Sequence, residues 1–305
     1  MTLLRLGTRA SPLALAQSRQ VAARLEAAHP GLTVELVPMS TRGDQTSGAL
    51  APLGGKGLFT AELEEGLLAG RLDLAVHSLK DVPAARPTGL TIAAFPERAD
   101  PRDVLISEAP SLAALPRGAL VLTGSLRRRA QLLAARPDLD VHGLRGNVAT
   151  RIARARERGA ATLLAMAGLE RLGMADLPLR PLDPWDFVPA PGQGILAVET
   201  HLGTPAAELV AALDHAPTRE AALAERALVA AVGGDCALPL AAWCRRENGA
   251  LRLTALIAQP DGRRVVRAEV LGEGPETLGR EAAANLLAEG AREILRALGR
   301  TPGEP

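Results

Sequence analysis

The chain has 305 residues, 47% of them hydrophobic and 23% charged, and its formal net charge is +1 at pH 7. This length predicts two or three domains with substantial cores, and the small net charge argues against nucleic acid as a partner. No apolar run is long enough to cross a membrane and no signal peptide is recognisable, so we expect a cytoplasmic protein without a membrane partner.

Strand and helix patterns alternate in the first third of the chain. The segment LLRLG predicts a strand, and Ser11 followed by Pro12 predicts the beginning of a helix that ends near 29–31. The next patterns predict, in order, a strand at 32–39, a glycine-rich loop at 40–57, a helix at 58–69 and a buried strand at 73–78. Such alternation is typical of a parallel sheet covered by helices.

The same alternation returns after residue 103. The predicted elements are a strand at 119–125, a helix at 126–136, a strand with its loop at 139–146, a helix at 147–159 and a strand at 161–167. A crossing segment rich in proline and glycine (177–194) then leads to a strand at 195–200. Two α/β lobes that are joined by two crossings predict a cleft between them, which is a common location for ligands.

The last third of the chain has a different character. Its patterns predict a helix at 218–232, a hairpin of strands at 251–259 and 263–271, and a final helix at 277–298. These elements form a small α+β domain. We therefore predict a first lobe of 1–96 with 195–214, a second lobe of 97–194, and a C-terminal domain of 215–305.

Cysteine and histidine are too sparse to predict a metal site. The two cysteines, Cys236 and Cys244, do not have zinc-ligand spacing, and the five histidines are scattered. Cys244 is predicted to be a packed strand residue. Cys236 lies in GGDCALP, which predicts an exposed turn, and a buried structural role is the usual alternative for a free cysteine. The neighbouring Asp235 opposes thiolate formation, so the local sequence leaves a covalent role open.

Cationic, hydroxyl and amide side chains follow the predicted strands. They are Arg9, Ser11, Ser125, Arg127, Arg128, Arg145, Asn147 and Arg151. Helix N-termini bind anions, and arginine binds carboxylate or phosphate through two hydrogen bonds. A single arginine in such a sequence is more often an ordinary surface residue. The whole set, at successive strand-to-helix junctions, indicates a polyanionic ligand.

Two further motifs carry the only lysines of the chain, Lys56 and Lys80. In AVHSLKDVP a buried strand ends at Ser78, Lys80 and Asp81, and Asp81 is suited to stabilise a developing cation or to transfer a proton. A turn cap before Pro83 is the alternative interpretation. The motif LGGKGLF lacks the Ser or Thr of a nucleotide-binding loop after Lys56, so it indicates a mobile flap with one anion-binding lysine.

Nine motifs together resemble one family in order and in spacing. They are RLGTRASPLALAQ, VPMSTRGD, GGKGLF, DLAVHSLKDVP, ERADPRD, GSLRRRAQL, LRGNVATR, AGLERL and PAPGQGILAVE. From about residue 3 to 298 the chain resembles the porphobilinogen deaminase (hydroxymethylbilane synthase) family.

The resemblance implies an α/β fold of two doubly wound lobes, similar to type II periplasmic binding proteins, with a small α+β C-terminal domain. It implies a monomeric transferase of haem and porphyrin biosynthesis that carries a covalent dipyrromethane cofactor. The expected reaction is the head-to-tail condensation of four porphobilinogen molecules onto this primer, with release of ammonia. Hydrolysis then frees linear hydroxymethylbilane, so the partners are porphobilinogen and the growing polypyrrole chain.

The resemblance also implies roles for individual residues. Cys236 matches the cofactor attachment position through a thioether, and Asp81 matches the catalytic aspartate. Other matches to cofactor-binding positions are Ser78, Lys80, Thr123, Ser125, Arg127, Arg128, Arg145 and Gln193. Matches to substrate-binding positions are Arg9, Ser11, Arg145, Arg151 and Lys56.

The sequence departs from the family pattern at three positions, where it has Pro52, Gly124 and Asp235. Two other classes of function are alternatives. A non-catalytic two-lobed binding protein for polycarboxylates would need neither Cys236 nor a primer, and it would usually carry an export signal. A ligand-sensing regulator would need a DNA-binding domain, and no helix-turn-helix with a basic face is recognisable.

Overall fold

The computed structural model describes residues 2–40, 60–174, 176–233 and 238–300. The chain forms two compact units. The first comprises Met1–Ala99 and Ile195–Arg219, and the second comprises Asp100–Gly194 and Glu220–Pro305. The three-domain division from the sequence stays a prediction, since the second unit contains both a lobe and the C-terminal domain.

Strands and helices alternate along the chain. Up to residue 106 they are β1 (Thr2–Arg9), α1 (Pro12–Ala28), β2 (Leu32–Met39), α2 (Ala61–Leu68), β3 (Leu74–Ser78), β4 (Leu90–Ala94) and β5 (Asp103–Ile106). The next are β6 (Leu120–Leu122), α3 (Leu126–Ala135), β7 (Asp140–His142), α4 (Val148–Glu157), β8 (Ala161–Ala165), α5 (Met166–Arg171) and β9 (Leu179–Pro181). The last are β10 (Leu196–His201), α6 (Pro205–Val210), α7 (Ala216–Ala231), β11 (Leu240–Glu247), β12 (Ala250–Ala258), β13 (Val265–Gly272), α8 (Pro275–Leu286) and α9 (Arg292–Ala297).

The first unit is built on a five-stranded sheet in the order β2-β1-β3-β10-β4. β1 is parallel to both β2 and β3, whereas β10 is antiparallel to its neighbours. Alternate residues of β3 pack on opposite faces: Leu74 belongs to the core under α1, and Ala75 to the core under α2. Helices therefore cover both faces, as the sequence predicts for a doubly wound lobe.

The first helix shows how local sequence fixes this lobe. The Ser11 hydroxyl accepts a hydrogen bond from the backbone N–H of Ala14 at 3.3 Å, and Pro12 occupies the first helical position. Both features favour a helix that begins there. The apolar face of α1 buries Val21 and Leu25 against the sheet. The predicted beginning of α1 and the predicted bounds of β2 are confirmed.

The second unit contains a sheet of the same design, in the order β7-β6-β8-β5-β9. β6 is parallel to β7 and β8, and β5 is antiparallel to β8 and β9. Leu132 of α3 and Ile152 of α4 lie in different cores of this lobe. The prediction of a strand through Ala167 is wrong at its end, because α5 begins at Met166.

The C-terminal part of the second unit is a three-stranded antiparallel sheet, β11-β12-β13, that packs against α7 and α8. The predicted hairpin at PDG is confirmed, with Gly262 at a φ of 74° in its turn. The predicted single helix at 277–298 is interrupted. Leu287–Ala291 form a π-turn in which Gly290 has a φ of 106°, and α9 begins after it. The two α/β lobes and the small α+β domain that the sequence predicts are thereby confirmed.

An aromatic and cationic cluster joins the crossing segment to β11. The rings of Trp185 and Trp243 meet edge to face, with 5.4 Å between their centroids. The guanidinium carbon of Arg245 lies 3.6 Å from the Trp185 centroid and 3.9 Å from that of Trp243. Such cation–π contacts stabilise the packing of the two segments.

No helix in the described parts of the chain is both long and apolar enough to cross a membrane.

Candidate functional site

In the first unit, predicted site residues lie together where two parallel strands end. β1 ends at Arg9, and Ser11 follows it as the cap of α1. β3 ends at Ser78, and a short 3-10 turn, Leu79–Asp81, carries Lys80 and Asp81. Because β1 and β3 are parallel neighbours, their carboxyl ends share one edge of the sheet. Lys80 and Asp81 are each half-buried there.

Gln17 is a residue that the sequence reasoning missed. It lies on the buried face of α1, and its amide Nε2 donates a hydrogen bond to the Ser78 hydroxyl at 2.9 Å. This bond ties the end of β3 to α1. A glutamine on the apolar face of a helix is the sequence signal, because buried polar groups need partners.

A buried polar pair lies behind the same loop. His77 of β3 and Glu199 of β10 are almost wholly buried, and Nε2 of the histidine lies 3.0 Å from Oε2 of the glutamate. Glu64 of α2 is also buried, and burial raises the pKa of its carboxyl group above the ordinary value. The face of the sheet under α2 therefore carries a group of titratable side chains, one of which, His77, precedes Asp81 by four positions in the sequence.

In the second unit, two helix N-termini follow parallel strands. After β6, the Thr123 hydroxyl accepts a hydrogen bond from the backbone N–H of Ser125 at 3.2 Å, and Ser125 in turn caps α3. After β7, Asn147 caps α4 by accepting from the N–H of Thr150 at 2.9 Å. Ser125 and Asn147, which the sequence places at these junctions, thus cap the two helices, and each helix has its N-terminus at the sheet edge.

Two predicted arginines lie beside the second of these N-termini. Arg145 is exposed in the loop after β7. Arg151, in the first turn and a half of α4, donates from Nε to the Gly146 carbonyl at 2.6 Å. Both residues are therefore within the same loop and helix start, where the helix dipole also favours anions.

Arg127 and Arg128 are not ordinary surface residues, which was the alternative that the sequence left for a single arginine. Their side chains are only 4% and 7% exposed, and both bind the wholly buried carboxylate of Asp103. Burial alone raises the pKa of Asp103, but the charges of the two arginines outweigh it and hold that pKa well below the ordinary value. The sequence reasoning did not single out Asp103, which precedes these arginines by more than twenty residues.

Gln193 belongs to the same cluster. Its amide Nε2 donates to the Pro101 carbonyl at 2.8 Å and to Oδ1 of Asp103 at 3.0 Å. The crossing segment is thereby tied to the start of β5. The second unit thus brings three predicted site residues, Arg127, Arg128 and Gln193, onto one acid.

Some predicted features lie outside the described residues: Cys236, Lys56, Asp235, Pro52 and the TRGD motif (41–44). Of the other singled-out residues, Cys244 is buried in β11 as predicted. The structure explains why position 124 is a glycine. A Cβ there would lie 2.5 Å from the Leu144 carbonyl oxygen, which is too close for any side chain.

These residues fit a ligand that carries carboxylates. The buried cluster around Asp103 contains two guanidinium groups and one carboxylate, so it keeps one positive charge in excess. Within each unit, the sheet edge also carries a capped helix N-terminus and further cations. Such groups are the ones that proteins use for carboxylate recognition. A dipyrromethane with acidic side chains is a group of this kind.

Comparison with known proteins identifies the family. The family model "porphobilinogen deaminase, dipyromethane cofactor binding domain" matches residues 4–208, and the model of the C-terminal domain matches residues 219–288. Porphobilinogen deaminase of Acidithiobacillus ferrooxidans is 49% identical over 96% of this chain and 97% of its own length. That of Stenotrophomonas maltophilia is also 49% identical, over 97% of this chain and 99% of its own length.

Among solved structures, the periplasmic VFT2 domain of Bordetella pertussis BvgS is a distant likeness, with 17% identity and a TM-score of 0.39 over 68% of this chain and 84% of that one. The two family models account for nearly all of both units. The chain therefore belongs to the porphobilinogen deaminase family, whose first model is that of a dipyrromethane-binding domain.

Proposed function

We propose that this chain is a hydroxymethylbilane synthase, a transferase that joins four porphobilinogen molecules head to tail and releases the linear product by hydrolysis. One observation carries the proposal: both family models match, and relatives that share about half of its residues align along almost the whole chain. A non-catalytic polycarboxylate-binding protein is not favoured, because the match includes the C-terminal domain that carries Cys236. The monomeric state, the cytoplasmic location and the absence of a nucleic-acid partner stay predictions.

Cys236 is the proposed attachment residue. When bound there, the dipyrromethane supplies the terminal pyrrole carbon to which the first substrate molecule is joined. The chain must then hold a polymer that gains two carboxylates with every ring. Fixed cations at the strand ends support this role, because they provide local positive potential although the net charge of the chain is only +1.

Asp81 is the proposed catalytic residue. Loss of ammonia from porphobilinogen leaves an electron-poor carbon, and positive charge develops on the pyrrole nitrogen during condensation. A carboxylate held beside that nitrogen stabilises the charge electrostatically. The 3-10 turn after β3 and the bond from Gln17 to Ser78 support a fixed position for the Asp81 backbone.

The remaining proposed contacts bind carboxylates. Arg9, Ser11 and Lys80 supply donors in the first unit, and Arg145 and Arg151 in the second. Lys56, outside the described residues, is proposed as a further cation. Thr123 and Ser125 contribute hydroxyls that also support the N-terminus of α3.

The intact mass of the purified protein tests the attachment. After expression in cells that make porphobilinogen, we expect an excess that equals two condensed pyrrole units, and we expect Cys236→Ser to abolish it. Cys244→Ser is the matched control, because Cys244 is buried in β11 and should leave the excess in place. An unmodified wild-type mass, or an excess that persists in Cys236→Ser, would overturn the assignment.

A further inference from the structure

We propose that Asp103 is a positioning residue for cofactor and chain binding. It holds Arg127 and Arg128 in one buried cluster that keeps a net positive charge, and a carboxylate of the cofactor or the growing chain completes the charge balance. The inference deepens the proposed function and rests on it. Asp103 is not among the residues that the family resemblance assigned.

The geometry fixes both guanidinium groups through different oxygens of one carboxylate. Arg127 donates from Nη1 to Oδ2 at 2.7 Å. Arg128 donates from Nε and Nη2 to Oδ1 at 3.0 and 2.7 Å. Each arginine has a second anchor, the Val188 carbonyl for Arg127 and the Leu163 carbonyl for Arg128. Asp103 itself begins β5, which pairs with a strand on either side.

The electrostatics of this arrangement are unfavourable without an anion. Both arginines stand in the first turn of α3, where the helix dipole is positive, and that turn contains no acidic residue. Burial lowers the pKa of Arg127, as does the neighbouring charge of Arg128, while Asp103 opposes both effects. Two buried cations at a positive helix end with one acid between them are costly, since buried charge needs full compensation.

Two other ion pairs in the same unit are balanced. Asp100 binds Arg102 and Asp138 binds Arg136, one acid to one arginine, and all four side chains are considerably more exposed. The excess charge is therefore explained by a ligand of opposite sign. Asp103 then has two tasks, to lower the cost of the unliganded cluster and to fix where the guanidinium groups stand.

The test compares Asp103→Asn with Asp100→Asn. Both variants remove one carboxylate from an ion pair within the same segment, but only the first frees Arg127 and Arg128. After expression as above, we expect the fraction of Asp103→Asn protein that carries the cofactor mass to fall roughly tenfold or more, because misplaced binding groups cost this much or more. Asp100→Asn should keep the wild-type fraction. Thermal unfolding of both variants shows how much stability each has lost.

The outcomes separate the two proposals. Folded Asp103→Asn with a wild-type cofactor fraction would overturn the positioning role. A wild-type protein without any cofactor mass would instead overturn the proposed function. If Asp103→Asn does not fold, Asp103→Glu replaces it, because it keeps the charge of the ion pair but moves the carboxylate that holds both guanidinium groups. A wild-type cofactor fraction in folded Asp103→Glu would also overturn the proposal.

Discussion

Two aspartates flank β3, and they have different proposed roles. Asp73 forms an ion pair that stabilises the fold, whereas Asp81 is the proposed catalytic residue. Asp73 directly precedes the strand and receives three hydrogen bonds from Arg5, at 2.7 to 3.0 Å. Burial raises the pKa of Asp73, but these bonds outweigh it and lower the pKa below the ordinary value. Asp81 follows the strand in the proposed active site. The two residues therefore flank one strand and have different proposed roles.

We expect Asp81→Asn to lower turnover by roughly 100-fold or more, because it removes the charge that stabilises the developing cation. Its thermal unfolding should remain close to that of the wild type. Asp73→Asn should behave in the opposite way, with a loss of about 1–2 kcal/mol in the free energy of unfolding and near-normal turnover. Steady-state kinetics and calorimetry on both variants measure this. Normal turnover in Asp81→Asn would contradict the catalytic role.

Glu64 gives the stability a defined pH dependence. Its folded-state pKa is raised chiefly by burial, with the charge of Glu199 adding to the rise and those of His77 and Arg86 opposing it. An acid with a raised folded pKa favours folding only while it is protonated. Ionisation therefore costs stability as the pH rises from the ordinary value of 4.5 through the folded pKa.

We expect Glu64→Gln to be more stable than the wild type at pH 7, since the amide carries no charge to bury. The difference should shrink as the pH falls toward 4.5 and vanish below it. Denaturant unfolding at several pH values measures the difference. Glu65→Gln is the control, because Glu65 is exposed on the same helix and pairs with Arg71 at the surface. A pH-independent effect of Glu64→Gln would contradict the burial argument.

At the scale of elements, one hairpin turn fixes a helix of the candidate site. Gly262, between β12 and β13, packs against the backbone of α3, the helix that carries Arg127 and Arg128. A Cβ at this glycine would lie 2.4 Å from the Ala134 nitrogen and 2.8 Å from the Ala130 oxygen. Its positive φ also favours glycine. The C-terminal sheet and α3 are therefore in backbone contact within the second unit.

We expect Gly262→Ala to destabilise the protein by roughly 1–3 kcal/mol more than Gly249→Ala does, because an added methyl group there must displace backbone. Gly249 is the matched control. It also occupies a hairpin turn with positive φ, but a Cβ there has no atom within 4 Å. Calorimetric unfolding of both variants gives the comparison. Equal losses would show that the contact with α3 contributes nothing.

Elements with their own local signals were predicted well from the sequence. The start of α1 follows from Ser11 and Pro12, and β2 from an apolar run between turn residues. The break at Gly290 was not predicted, since a single glycine in an amphipathic pattern does not reveal a positive φ. The start of α5 was missed because an apolar run continues from β8 into it.

At the scale of the whole molecule, the candidate site also contains residues that local sequence signals could place and residues that they could not. Residues that precede or cap a helix, such as Ser125 and Asn147, could be placed from local sequence. Asp103 could not, because its partners come from a helix more than twenty residues later and from the crossing segment. Motif order supplied the family, which patterns of hydrophobicity alone would not have given. A single sequence does not reveal contacts between residues that are far apart in the chain.

The cluster of Trp185, Trp243 and Arg245 has a spectroscopic consequence. The chain contains two tryptophans and no tyrosine, and both tryptophans belong to the second unit. Intrinsic ultraviolet emission therefore originates almost wholly from one pair of indole rings, which share a guanidinium group. Emission reports on the packing of the crossing segment on β11, and the first unit contributes no tryptophan emission of its own. A single tryptophan introduced into that unit would make its unfolding visible.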